Sequence, residues 1–285
     1  MENLNGDALK ELVKEKYAKI AEQSKEENES SCCGAGSSCG PTSDYTIFSD
    51  DYSALEGYNK DADLGLGCGL PTEFALIKPG DVVVDLGSGA GNDCFVARSI
   101  AGEAGEVIGI DMTEAMIAKA KINAEKLGYK NVQFRLGDIE DMPLASNRAD
   151  VVVSNCVMNL VPDKAKAFNE TFRILKPGGH FSISDVVLEG QLPEGLTKEA
   201  EMYAGCVSGA LQKDDYLKKI EEAGFKNIKV QKQKTISIPD EILSNYLKED
   251  ELNAFKSDAN LGIYSITVYA EKPDTNCCAP GSGCC

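Results

Sequence analysis

Between residues 82 and 188 the apolar positions fall into short runs: VVVDLG at 82–87, EVIGID at 106–111, VQFRLG at 132–137, ADVVVSN at 149–155 and HFSISDVVL at 180–188. Helical stretches separate them, so the pattern predicts an α/β chain with a mostly parallel, doubly wound sheet. Thr113 can cap TEAMIAKAKINAEKLG, which ends at Gly128, and Pro162 opens PDKAKAFNETFRILK before a Pro177-Gly178-Gly179 stop. Beyond residue 190 the pattern loosens to a helix near 213–223 and strands near 227–238 and 264–272, which can pair as an antiparallel edge.

Ahead of this core, residues 7–23 place Leu9, Leu12, Val13, Ile20 and Ala21 at helical spacing, which predicts an amphipathic lid or docking helix. The segment SKEENESSCCGAGSSCGPTSD that follows has too little apolar content to offset its ordering entropy, so Cys32, Cys33 and Cys39 are expected on a mobile arm. The last stretch, KPDTNCCAPGSGCC, has no periodicity and carries the pairs Cys277-Cys278 and Cys284-Cys285. The expected division is an N-terminal helix and arm at 1–60, a ligand-binding core at 61–188, a smaller α+β covering region at 189–272 and a flexible cysteine-rich tail at 273–285.

Composition narrows the chemistry. A chain of 285 residues with 42% apolar content can bury one sizeable core plus an appendage. No apolar run is long enough to span a membrane, and the charged N-terminus does not look like a signal peptide, so a cytoplasmic protein is expected. A net charge of −17 repels phosphate backbones, which argues against a nucleic-acid partner. In a reducing compartment the 11 cysteines are not expected to form a disulfide framework; they are ligands or redox groups. The single histidine, His180, rules out a dyad built from several imidazoles and is expected to be structural, and Cys94 is expected to be a packing residue.

DLGSGAG sets Asp85, Gly87, Gly89 and Gly91 at the turn from the first strand to the first core helix, where missing side chains let backbone approach a ligand. Counting from Gly87, the sixth position is Asn92, so the dinucleotide fingerprint does not fit. Asp111 closes the second strand, where a carboxylate can accept hydrogen bonds from both hydroxyls of a ribose. The D-x-G-x-G-x-G spacing and Asp111 resemble class I S-adenosylmethionine-dependent methyltransferases, whose sheet is Rossmann-like. By that resemblance the acidic residue in Gly137-Asp138-Ile139 takes the adenine amino group, backbone at Asn155 takes the methionine amine, and Asn92 and Met112 complete the cofactor site.

Cys156 directly follows the fourth run, beside the place where a donor methyl would lie, while Cys68 sits in the Gly-rich LGLGCGLP and Cys206 in YAGCVSGAL. GCGLP, DLGSGAGNDC, GIDMT, VVSNCVMNLVPDK, KPGG and AGCVSGAL together resemble successive motifs of arsenite methyltransferases over roughly residues 60 to 225. The resemblance implies that Cys68, Cys156 and Cys206 ligate trivalent arsenic and that Cys39 serves in thiol exchange or disulfide formation. It also implies S-adenosylmethionine as methyl donor, arsenite and methylated trivalent arsenicals as substrates, and a thiol reductant such as glutathione or thioredoxin. Arsenic held by three thiolates keeps a lone pair as nucleophile, so the chemistry calls for alignment rather than a general base. Cys32, Cys33, Cys277, Cys278, Cys284 and Cys285 are accessory thiols that can harvest metalloid, bind zinc or copper, or add nothing to turnover. Two rivals stand beside this reading: another small-molecule methyltransferase with incidental cysteines, and a non-catalytic thiol-rich metal-binding protein.

Overall fold

The computed structural model describes residues 6–23, 50–193, 196, 209–238, 240–244, 247–257 and 261–274. Strands β1 (Val82–Leu86), β2 (Glu106–Asp111), β3 (Val132–Leu136), β4 (Ala149–Asn155) and β5 (Leu175–Glu189) occupy the five apolar runs. With β6 (Lys226–Thr235) and β7 (Gly262–Glu271) they form a seven-stranded sheet of order β3-β2-β1-β4-β5-β7-β6. The first five pair in parallel, and β7 runs antiparallel to both β5 and β6. Strand order reverses between β1 and β4, which opens a crevice at their carboxyl ends.

Two differences from the sequence pattern have physical causes. First, β5 begins at Leu175 rather than near His180, because the Pro-Gly-Gly turn joins the pairing instead of only stopping a helix. Its glycines exchange backbone bonds with Lys272, from Gly178 N–H to Lys272 C=O at 3.0 Å and from Lys272 N–H to Gly179 C=O at 2.8 Å. Second, the last two strands do pair, yet β7 is interior and only β6 is an edge. Ile263, Ile266, Val268 and Ala270 give β7 a buried run suited to a central position, whereas KNIKVQKQKT puts lysines along β6, which discourages edge-to-edge pairing.

Alternate residues of the central strands serve opposite faces. Val84 and Val152 join a cluster with Phe168, Phe181 and Tyr216, while Val83, Val151 and Val153 pack with Phe95, Cys94 and Met116 on the other side. Each such fully buried side chain contributes about 1.5–3 kcal/mol of hydrophobic stabilisation. Cys94 is a buried free thiol in that second layer, and the half-buried His180 pairs its Nε2 with the Ala75 carbonyl at 2.6 Å.

Helix α1 (Gly6–Ala21) buries Val13, Ile20 and Ala21, as its spacing predicts. It is followed by the short α2 (Pro71–Phe74), then α3 (Asn92–Ala101) and α4 (Glu114–Leu127), which ends at Gly128 with φ +69°. Thr113 occupies the N-cap position of α4, but its side chain makes no capping bond; instead its N–H donates to Asp111 Oδ1 at 2.8 Å. Helix α5 (Lys164–Ile174) is capped by Asp163, which accepts from Lys166 N–H at 3.0 Å, so Pro162 lies ahead of the helix rather than opening it. Helix α6 (Lys213–Glu222) matches its pattern, whereas α7 (Asp240–Leu243) and α8 (Glu249–Ser257) carried no signal: α7 is one turn long and α8 buries no residue. No helix among the described residues is long and apolar enough to cross a membrane.

Candidate active site

The crevice at the carboxyl ends of β1 to β4 is a cleft closed on one side by α1, which contributes Lys10, Val13 and Tyr17. Gly87 (φ +67°) and Gly89 (φ +51°) line its floor, and a Cβ on Gly87 would collide with the Val157 side chain, so only glycine allows this approach. Asn92, Asp111, Met112, Gly137, Asp138, Ile139 and Asn155 also line the cleft. Asp85 and Gly91 stand behind the wall. Asp85 is buried and accepts the Cys94 thiol at 3.2 Å, and a Cβ on Gly91 would come within 2.9 Å of the Phe95 and Phe134 rings.

Electrostatics of the cleft favour a cationic ligand. Asp63, Asp93, Asp111 and Asp138 line it, against Lys10 as the one cationic side chain among the described lining residues. Lys10 Nζ reaches both Asp138 Oδ2 and Glu140 Oε2 at 2.6 Å, which ties α1 to the loop after β3. Burial pushes the Asp138 carboxyl up, but Lys10 and the Glu140 amide outweigh it and hold it below the ordinary range. Burial raises Asp111 despite the N–H groups of Thr113 and Gly89, the latter at 3.0 Å from Oδ2.

Asp93 is pushed up to about 6 by burial, although the Tyr52 hydroxyl donates to it at 2.9 Å and the Asn155 amide at 3.3 Å. The folded state thus holds this proton more tightly than the unfolded chain, whose value is 3.8. The corresponding stability is complete below the unfolded value and lost as pH rises through about 6. Asp93→Asn is therefore expected to raise the melting temperature at pH 8 by roughly 2–6 °C and to change it little at pH 3, below the unfolded value. Equal shifts at the two pH values, read by calorimetry, would remove the charge from the explanation.

The thiols sit beside this cleft. Cys156 follows β4 with φ +60°, a left-handed conformation that costs a non-glycine residue about 1–2 kcal/mol, and its N–H donates to the Ser184 carbonyl at 2.8 Å. Gly67-Cys68-Gly69 is held against the same strand end by Asn155, whose Oδ1 accepts from Cys68 N–H at 3.0 Å and whose Nδ2 donates to the Gly69 carbonyl at 2.8 Å. A Cβ on Gly67 would lie 2.6 Å from Asn155 Nδ2, so the flanking glycine is needed for this contact. The Ser265 hydroxyl of β7 donates to the Cys68 carbonyl.

Cys68 and Cys156 are joined as a disulfide, which corrects the expectation that all the thiols stand reduced. The cause is geometric: the Cys156 turn and the Asn155 clamp bring the two Cα atoms to 5.8 Å, within disulfide range. Cys32, Cys33, Cys39, Cys206, Cys277, Cys278, Cys284 and Cys285 lie outside the described residues.

The structure adds groups that the sequence pattern did not single out. Asp185 of β5 is fully buried, with a carboxylate oxygen within 4.8 Å of both sulfurs. Burial pushes it up to about 7 against hydrogen bonds from Val186 N–H and Asn159 Nδ2 to Oδ1 at 2.9 and 2.8 Å, and from the Tyr216 hydroxyl to Oδ2 at 3.3 Å. The one available signal was an acidic residue inside the otherwise apolar SISDVVL. Tyr52, Asp93 and Lys10 carried none, since each is a lone polar residue whose partner lies far along the chain.

A glycine turn after β1, a carboxylate closing β2 and an acidic cleft at the sheet's switch point define a methyltransferase domain, and residues 77–243 match the family model described as a methyltransferase domain. An arsenite methyltransferase from Halobacterium salinarum is 40% identical over 282 residues, covering 94% of this chain and 67% of that protein. One from Aquipseudomonas alcaligenes is 36% identical over 246 residues, covering 84% and 68%. The crystal structure of an arsenic(III) S-adenosylmethionine methyltransferase from Chlamydomonas reinhardtii superposes with a TM-score of 0.62 at 35% identity, covering 73% of this chain and 68% of that one. The chain belongs to the arsenite methyltransferase family.

Proposed function

We propose that the protein transfers methyl groups from S-adenosylmethionine to trivalent arsenic held by the thiolates of Cys68, Cys156 and Cys206. The observation that carries this reading is the closeness of two buried cysteines, Cys68 and Cys156, at a wall of the acidic cleft that Cys156 itself lines. The residues present fit the donor, because four carboxylates and a side-chain-free glycine turn suit a ligand with cationic centres and a ribose. When bound, S-adenosylmethionine supplies an activated methyl on a sulfonium. Asp111 would take the ribose and the Asp138 carboxylate the adenine amino group, both lining the cleft, while Asn155 holds the Cys68 loop beside it. In the disulfide state the pair offers arsenic no thiolate. A thiol reductant of the glutathione or thioredoxin class must deliver two electrons and two protons before arsenite enters.

The direct test incubates the protein with arsenite, methyl-labelled S-adenosylmethionine and a thiol, and looks for labelled arsenicals; absence of label in arsenic with the protein folded ends the proposal. Asp111→Ala is expected to weaken S-adenosylmethionine binding by about tenfold or more, since it removes hydrogen bonds to a charged acceptor, and to leave arsenite binding unchanged. Unaltered cofactor affinity by calorimetry takes Asp111 out of the donor site.

A further inference from the structure

Inorganic arsenite carries three hydroxyls, while the described residues offer it two thiols, those of Cys68 and Cys156. Once the pair is reduced, each thiol forms an As–S bond as an As–O bond breaks, and each thiol proton leaves with the displaced hydroxide as water. Arsenic stays trivalent throughout and retains one As–OH until a third thiol replaces it. That hydroxyl is a hydrogen-bond donor in a buried pocket and costs free energy there unless it meets an acceptor.

Asp185 is placed to be that acceptor. Its carboxylate lies within 4.8 Å of both sulfurs, and the three groups are all buried. An ionised carboxylate has about four lone-pair positions. Asn159 Nδ2 and Val186 N–H take two on Oδ1, and the Tyr216 hydroxyl takes one on Oδ2, which leaves a position on Oδ2 with no donor among the described residues. The three donors also fix the carboxylate in place, as a positioning group requires. We propose that Asp185 holds the hydroxyl that arsenite retains when bound by Cys68 and Cys156 alone, and so discriminates inorganic arsenite from arsenicals that already carry a carbon. A monomethyl trivalent arsenical bound by the same two thiols has a methyl and no hydroxyl, so Asp185 gives it nothing. The inference rests on the arsenic-thiolate reading of this pair.

The test uses the full-length chain with its eight cysteines outside the described residues replaced by serine, leaving Cys68, Cys156 and the buried Cys94. Under a phosphine reductant at pH 8.5, above the value of about 7 to which burial raises Asp185, equilibrium dialysis compares arsenite with methylarsonous acid for this parent and for its Asp185→Asn variant, with melting curves to confirm folding. Asp185→Asn is expected to weaken arsenite by about tenfold, the loss of one hydrogen bond to a charged group, and to change methylarsonous acid by less than about twofold. Asp185→Ser, which keeps a small polar group, serves as second variant with the same expected selectivity. Equal loss for the two arsenicals, or no loss for either, overturns the role of Asp185 while leaving the thiol pair standing. If the parent binds neither arsenical, the two-thiol site fails and the inference with it.

Discussion

Replacing Cys156 by serine is expected to lower methylation of inorganic arsenite by at least about a hundredfold, the penalty that misplacement of a reacting centre alone imposes. Serine keeps the size of the side chain but offers a hydroxyl in place of a soft thiolate, so arsenic loses the ligand at the wall of the donor cleft. Cofactor affinity should stay near that of the parent, because the cleft carboxylates and glycine turn are untouched. Turnover is measured with labelled S-adenosylmethionine at saturating arsenite. Full activity in the Cys156→Ser protein is incompatible with the proposed arrangement, because Cys156 is the one described cysteine that lines the cleft.

The second large effect is expected at Asn155. Its side chain holds both the Cys68 N–H and the Gly69 carbonyl while lining the cleft, so it joins the Cys68 loop to the acidic cleft. Asn155→Ala removes side-chain hydrogen bonds to Cys68, Gly69, Tyr52 and Asp93, about 0.5–1.5 kcal/mol each, so melting curves must accompany the assay. In protein that remains folded, turnover should fall by about a hundredfold, because the Cys68 loop is no longer registered against Cys156. A quenched thiol assay should also show slower formation of the Cys68–Cys156 disulfide after reductant is removed. Parent-like turnover together with a parent-like disulfide rate would reduce Asn155 to an ordinary wall residue.

Residues with local causes were legible in the sequence. The five apolar runs became β1 to β5, Gly128 ended α4 in a left-handed turn, and the position of Cys156 after β4 followed from the run that precedes it. Residues whose role depends on distant partners were not. Asp185 gains its meaning from Cys68, Asn159 and Tyr216, and Lys10 from Asp138 and Glu140, which lie 128 and 130 positions further along the chain. The interior place of β7 was hidden for a similar reason: an antiparallel strand with an apolar run reads alike whether it has one neighbour or two. The Cys68–Cys156 bond was masked by a compartment argument that is sound for structural disulfides but silent about pairs brought together by a glycine-flanked loop clamped to a strand end.

The hydroxyl of Ser265 on the Cys68 carbonyl links positions 197 residues apart, and that distance has a meaning during synthesis. A nascent chain can make β1 to β5 and the Asn155 clamp on Cys68 while β7 is still inside the ribosome, but the bond from Ser265 waits for β7. β7 pairs with both β5 and β6, so the side of the sheet that backs the Cys68 loop closes only when the last strand is available.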